Sequence, residues 1–337
     1  LMINPKPIRI AIIFDQKINS GGAYQQSLNA ALIAKKIPKD LANVLFFTTI
    51  KENIETLLTH GIDAKMIKIS FFAKIKNFRR KRIRNIHILK IIHFFEKYSS
   101  IEKKLIDNKV DLVYFLSPSN LAQSLEELNY ITTVWDLAHR ENPEFPEVRF
   151  NREFESREIK YKMILPRATA IIVDSECGKN NVSKYYGIEL ERIKIIAFEA
   201  SKVTSHQLNF KIEKRIKISQ KYKLKVPYIF YPAQFWHHKN HIYLLNGLSI
   251  LKKKFNIDIG AIFSGGDINN RKQVQNYIKS LNLEKYIRFA GYVSDNEIVQ
   301  LYLQSIALVM PSYFGPTNLP PLEAFYLNVP VLYSNTK

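Results

Sequence analysis

Along this chain of 337 residues, short apolar runs, turn residues and amphipathic stretches follow one another in a repeating order. Ile8 to Phe14 is an isoleucine-rich run and predicts a first buried strand. Ala23 to Lys36 then places Leu28, Ala31, Leu32 and Lys35 at helical spacing. The same reading predicts strands over Val44–Thr49, Asp111–Leu116, Tyr130–Trp135, Ala170–Ser175 and Ile193–Phe198. Between them it predicts helices over Glu52–His60, Arg152–Arg167 and Lys179–Tyr186, with Gly61 and Gly187 as stops. In the second half the predicted strands are Tyr228–Ala233, Ile259–Phe263, Ile287–Ala290, Ile306–Met310 and Val329–Tyr333. The predicted helices there are Asn240–Phe255, Asp295–Gln304 and one starting at about Asn318. Strands alternating with helices predict an α/β protein with parallel sheets. Ser201 to Val226 is polar and lysine-rich without a strand period, so it reads as a linker between domains spanning 1–200 and 227–337.

Composition changes this picture little. A hydrophobic content of 46% with 24% charged residues is that of a globular protein. The single cysteine, Cys177, excludes an intramolecular disulfide framework and fits a reducing compartment. No apolar stretch reaches 18 residues, and the first residues lack a signal-peptide layout, so a cytoplasmic setting is expected.

Charge changes it more. The net charge is +20, and residues 65–104 hold 13 Lys or Arg against two Glu. Phe71, Phe72, Phe78, Ile83, Leu89 and Phe94 are interleaved with those charges. Such a segment suits attachment to an anionic membrane surface at its cytoplasmic face. It equally suits ordinary helices with solvated basic faces. No RNA-recognition signature accompanies the charge, so nucleic acid is not expected.

The candidate chemistry gathers in Pro311 to Asn335, PSYFGPTNLPPLEAFYLNVPVLYSN. Its turn residues lead to a helix N-terminus, where free N–H groups and the helix dipole favour an anion such as phosphate. Pro320 and Pro321 offer no N–H, which leaves Asn318, Leu319 and Leu322 as donors. Glu323 in the first turn serves either a ligand or simply the helix dipole. Ser20, Gly21 and Gly22 after the first strand allow close backbone approach, or only a tight turn. Trp236, His237, His238 and His241 lack Cys or carboxylate partners at ligand spacing, so no metal site is expected.

The stretch resembles the donor-binding signature of family-4 (group 1) retaining glycosyltransferases of GT-B fold, P-S-x-x-E-G-F-G-L-P-x-L-E-A followed by G-x-P-V-I. Pro311, Ser312, Leu319, Pro320, Leu322, Glu323, Ala324, Pro330 and Val331 match it. The pattern's first glutamate falls on Gly315, a departure found in one branch of the family. The resemblance implies two Rossmann-like, doubly wound parallel-sheet domains facing a cleft, the second incomplete because the chain stops soon after a core strand. It implies that Glu323 holds the nucleotide ribose. It places Gly21 and Gly22 beside the donor phosphates, Gly265 at a turn on the phosphate or sugar side, and Tyr292 beside the nucleobase. Lys239 takes the position of the family's diphosphate-gripping lysine, whereas Gln234 stands where the family has an arginine. Asp136 retains the aspartate of the family's His-Asp pair, with Trp135 in place of the histidine, and His139 stands close by.

Under this resemblance the chain moves a hexosyl group from a UDP- or GDP-linked sugar to a saccharide or lipid-linked acceptor, with retention. The setting is cell-surface polysaccharide synthesis, peripheral to the inner face of the cytoplasmic membrane. No resident cofactor is implied, and no D-x-D occurs to clamp a metal-bound diphosphate. Two rivals stand beside it. One is a non-catalytic protein that binds nucleotide-sugar or polyanion. The other is a nucleotide-sugar epimerase, which requires acid and base groups that no residue set here supplies.

Overall fold

The computed structural model describes residues 6–17, 22–68, 99–200, 216–268, 270–315 and 317–335. The chain folds as two compact units, each with one all-parallel sheet. The first comprises Leu1–Leu137 and Phe154–Ala197; the second comprises Ala138–Glu153 and Phe198–Lys337. The second unit thus includes a short segment taken from the middle of the first half.

In the first unit the strands are β1 (Ile8–Phe14), β2 (Ala42–Thr48), β3 (Ala64–Met66), β4 (Leu112–Phe115), β5 (Asn129–Thr133), β6 (Ala170–Val173) and β7 (Ile193–Ile195). They lie in the order β3-β2-β1-β4-β5-β6-β7. The apolar run of β1 explains its central place. Ala11, Ile12, Ile13 and Phe14 are all buried, as happens only when both faces of a strand are covered. Alternation sends Ala11 and Ile13 into one apolar cluster and Ile12 and Phe14 into another. Helices Gly22–Ala34, Asn53–Thr59, Ser100–Asp107, Glu153–Ile164 and Glu176–Tyr186 connect the strands. Ser175 caps the last of these through its hydroxyl, and Gly187 closes it with φ of 66°.

The second unit repeats the plan with β8 (Tyr228–Pro232), β9 (Gly260–Ser264), β10 (Ile287–Gly291), β11 (Leu308–Met310) and β12 (Val331–Tyr333), in the order β10-β9-β8-β11-β12. Ile229 and Tyr231 of β8 enter one cluster, Tyr228 and Phe230 the other. Helices His241–Phe255, Arg271–Ser280, Asp295–Leu303 and Leu319–Tyr326 accompany them. Part of the polar stretch 201–226 belongs to this unit: Ile218 and Leu224 are buried in its second cluster. In both sheets the strand order reverses, between β1 and β4 and between β8 and β11. An open parallel sheet offers its binding crevice beyond the carboxyl ends of strands at such a point.

Strand β3, of three residues, and helices Ser100–Asp107 and Arg271–Ser280 are additions to the predicted elements; the two helices bury Ile101 with Leu105 and Val274 with Ile278, pairs at helical spacing. Of the basic stretch 65–104, the structure shows the end of β3 and most of the helix Ser100–Asp107; residues 69–98, and with them most of the expected membrane-facing segment, lie outside the described residues. Among the described residues no helix is long and apolar enough to cross a membrane.

One of the few acids in that stretch has a structural role. Glu102 is fully buried, and its Oε1 accepts the backbone N–H groups of Glu126, Glu127 and Leu128 at 2.8, 2.8 and 3.0 Å. Glu102→Ala leaves three backbone donors without that acceptor and is expected to destabilise the first unit by about 2–3 kcal/mol. A urea midpoint unchanged from wild type would refute this.

Candidate donor site in the second unit

The second unit's strand-order reversal is built by the segments that follow β8 and β11. After β8, residues Ala233 to Asn240 form a loop ending in a single turn, His237–Lys239, before the helix His241–Phe255. Asn240, at φ of 53°, starts that helix and accepts the N–H of Tyr243. The Tyr231 hydroxyl donates to the Lys239 carbonyl at 2.7 Å and lies 3.4 Å from Ser312 Oγ, tying this turn to the segment after β11.

Lys239 Nζ donates to Asn318 Oδ1 at 2.8 Å. The two residues singled out for phosphate binding therefore touch. Asn318 sits at the N-cap position of the helix Leu319–Tyr326, but its side chain does not cap it. Its amide instead reaches the Tyr333 hydroxyl at 2.6 Å and the Gly315 carbonyl at 3.4 Å. The backbone N–H groups at this helix start keep the anion-favouring polarity, and Leu319 is the first helical residue. Glu323, one turn in, is buried, and its Oε2 accepts the Tyr302 hydroxyl at 2.8 Å.

Gly315 has a physical reason to lack a side chain. Its φ is +129°, a conformation L residues rarely adopt, and a Cβ there would come within 2.7 Å of Asn318 Nδ2. A carboxylate at 315 and the present Asn318 arrangement exclude each other. Gly265 is similar: φ is +137°, and a Cβ would meet the Ala233 carbonyl at 2.5 Å. Its N–H donates to the Gly291 carbonyl at 3.0 Å, joining the ends of β9 and β10. Tyr292 follows and is 68% exposed. Gln234 turns its Oε1 to the Trp236 indole N–H at 2.9 Å.

The histidines after Trp236 have separate environments. His241 is 1% exposed, with its ring 4.5 Å from that of Phe235, 4.9 Å from Tyr231 and 5.2 Å from Phe263. Neither ring nitrogen has a hydrogen-bond partner. Burial, helped by the nearby charges of Lys239 and His238, pushes its pKa down to about 3, so it is neutral. His238 instead meets Glu147, which comes from the segment Ala138–Glu153. Periodicity could not reveal this partner, 91 residues away in sequence. Among the described residues no group of three or more His, Cys, Asp or Glu is arranged to hold a metal ion.

In the first unit, Asp136 pairs with Arg157 at 2.7 Å and remains partly exposed. His139, on the short helix Ala138–Glu141 of the second unit, is fully buried. Gly22 opens the helix Gly22–Ala34, whereas Gly21 lies outside the described residues. One group at the first unit's reversal point was not singled out from sequence. Asp15, just past β1, accepts hydrogen bonds from Ser117 and Ser119 beyond β4. Burial raises its pKa against the opposing pull of those two hydroxyls. A polar residue directly after the first strand of such a sheet was the available signal.

Comparison with known proteins places this geometry. The family model described as "Glycosyl transferases group 1" matches residues 213–337. The O-antigen chain mannosyltransferase RfbU of Salmonella typhimurium is 29% identical over 175 residues, which is 52% of this chain and 44% of that protein. O-antigen chain mannosyltransferase B of Escherichia coli is 26% identical over 172 residues, 51% of this chain and 44% of that one. The matched region is thus under half the length of these curated relatives. Among solved structures, Anabaena Alr3699/HepE in complex with UDP and glucose superposes with a TM-score of 0.69 at 16% identity, covering 98% of this chain and 81% of that one. A glycosyltransferase from Rickettsia africae gives 0.65 at 18% identity, covering 98% and 80%. WaaG, a glycosyltransferase involved in lipopolysaccharide biosynthesis, gives 0.61 at 14% identity, covering 97% and 81%. The two parallel-sheet Rossmann-like units therefore carry the GT-B fold, and the unit that holds Lys239, Asn318 and Glu323 carries the group 1 glycosyl transferase match.

Proposed function

We propose that this chain transfers a hexosyl group from a UDP- or GDP-linked sugar to a saccharide or lipid-linked saccharide acceptor, with retention of anomeric configuration, in the assembly of a bacterial cell-surface polysaccharide. The observation that carries the reading is the contact of Lys239 with Asn318 at the start of the helix Leu319–Tyr326, with Glu323 one turn further on. A diphosphate needs a cation and free backbone N–H groups, and a ribose needs a fixed carboxylate. The relatives named as mannosyltransferases and the UDP-bound neighbour support the substrate class.

In the reaction the bond between the anomeric carbon and the phosphate oxygen breaks, and the acceptor oxygen bonds to the same face. The acceptor proton passes to the leaving diphosphate. Lys239 and the helix-start N–H groups stabilise the charge that grows on that diphosphate. Glu323, oriented by Tyr302, holds the ribose. Asp136, held by Arg157, orients the acceptor hydroxyl. His139 is fully buried, so no proton-transfer step is assigned to it. The reading uses no resident cofactor and no metal. The basic stretch 65–104 attaches the protein to anionic lipid at the inner membrane face, where a lipid-linked acceptor is presented.

The test is a thermal-shift series with UDP-, GDP- and dTDP-sugars. A ligand at 100 times its dissociation constant stabilises the protein by about 2.7 kcal/mol. One nucleotide should raise the melting temperature; Glu323→Ala should abolish the shift and Lys239→Ala should reduce it. No shift with any donor would overturn the reading. A shift without sugar transfer to any acceptor would favour the non-catalytic binder.

A further inference from the structure

Glu147 has no place in the reaction just described, yet it contacts His238, the residue before Lys239, through both backbone and ring. It lies in the segment Ala138–Glu153, which the second unit takes from the middle of the chain. Its side chain is 6% exposed. Glu147 Oε1 accepts the backbone N–H of His238 at 2.9 Å and pairs with His238 Nδ1; Oε2 lies 3.9 Å from His237 Nδ1. The His238 carbonyl in turn accepts the N–H of Tyr313 at 2.8 Å. The His238 ring stacks on Phe314, with centroids 4.0 Å apart and planes 17° from parallel. Phe145, two residues before Glu147, packs against Tyr313 at 5.2 Å, Phe314 at 5.3 Å and His238 at 6.4 Å.

These contacts bind together the turn that ends in Lys239 and the loop that ends in Asn318. Each lies at the end of a strand, and the first has one short turn of its own backbone hydrogen bonds, His237–Lys239. Lys239 is the next residue after His238, so the His238 backbone sets where the lysine side chain begins. Asn318 is four residues beyond Phe314, on which His238 lies. We propose that Glu147 is a positioning residue: it clamps the His238–Lys239 turn onto the Tyr313–Phe314 loop, so that Lys239 and Asn318 meet a nucleoside diphosphate as a preformed pair. The carboxylate is fitted to this by chemistry as well as place. One oxygen takes a backbone N–H and a ring nitrogen of the same residue, which fixes both the peptide and the imidazole plane. Burial pushes the Glu147 carboxyl up, but its bonds to the His238 ring and backbone N–H outweigh burial and hold it below its ordinary value. The donor-site role rests on the function proposed above; the clamp itself does not.

The experiment compares wild type with Glu147→Ala and Glu147→Gln on the full chain, with three readouts. Calorimetric titration uses UDP and GDP as probes, hydrogen exchange follows peptides covering 234–241 and 311–318, and melting temperature reports global stability. In the alanine variant the nucleotide dissociation constant should rise about tenfold or more, because a displaced pair must be ordered on binding. Exchange at the His238 and Tyr313 amides should speed up by about tenfold or more. The glutamine variant keeps an acceptor for the His238 N–H and should recover at least part of both losses. A variant that melts lower yet binds with the wild-type constant would reduce Glu147 to a structural residue and overturn the proposal, as would unchanged exchange in both loops. If wild type binds neither UDP nor GDP, the donor reading falls. Faster exchange in both loops of the alanine variant would then uphold the clamp, and unchanged exchange would overturn it.

Discussion

Lys239→Ala lowers kcat/KM for sugar transfer by about 10²–10³, the size expected when one preorganised charge is removed from a developing anion. Charge on the leaving phosphate oxygen grows only as the glycosidic bond breaks, so the loss falls mainly on kcat, with a smaller rise in KM. The lysine is suited to this by its setting. Its amine is already held by Asn318 Oδ1 at 2.8 Å, and its backbone carbonyl by the Tyr231 hydroxyl at 2.7 Å. Little reorganisation is then needed at the moment of reaction. Lys239→Met keeps the aliphatic stem and removes only the charge, and its loss should match that of the alanine variant. Lys239→Arg keeps charge but replaces a compact ammonium by a planar fork, and should recover only part of the rate. Melting temperatures should stay within a few degrees, since the contact closes no core. Turnover of Lys239→Met within about threefold of wild type would remove Lys239 from the mechanism.

What the sequence disclosed and what it hid divide along a physical line. Strands such as β1 and β8 were legible because a strand covered on both faces must be apolar throughout. The start of the helix Leu319–Tyr326 was legible because prolines fit the first turn and little else in a helix. Lys239 and Asn318 stood out by residue type and place, but their contact spans 79 residues and no local pattern encodes it. Asn318 also shows how a correct position conceals a different use. It is the N-cap by backbone, while its side chain serves Lys239, Gly315 and Tyr333. Gly315 looked like a lost glutamate, whereas its +129° φ and the adjacent Asn318 amide show a loop built around the absence of a side chain. Glu147 was invisible for the reason that makes it interesting: it acts on a residue far along the chain, from a segment whose unit is set by tertiary packing. The histidine run looked like one cluster and is two environments, one facing the Glu147 carboxylate, one apolar.

The second of those environments predicts that the second unit loses stability as pH falls below 6.5, and that His241→Phe removes this loss. In the folded unit the His241 pKa is pushed down to about 3, from an ordinary value of 6.5 in the unfolded chain. Between those values the unfolded chain binds a proton that the native state does not. Stability then falls with decreasing pH by about 1.4 kcal/mol per unit, reaching about 4 kcal/mol near pH 3. Glu147 acts at lower pH: its folded pKa is lowered from 4.5, so its contribution is present above that value and lost as pH falls through and below it. The interval from 6.5 to 4.5 therefore isolates His241 from Glu147. Phenylalanine keeps the stack on Phe235 and removes two ring nitrogens that have no partners, which offsets the added volume. Urea unfolding at steps across this interval, followed by Trp236 fluorescence in a Trp135→Phe background, should show a sloping stability in the parent and a nearly flat one in His241→Phe. Parallel slopes in the two proteins would mean that the buried imidazole is not what makes this unit acid-sensitive.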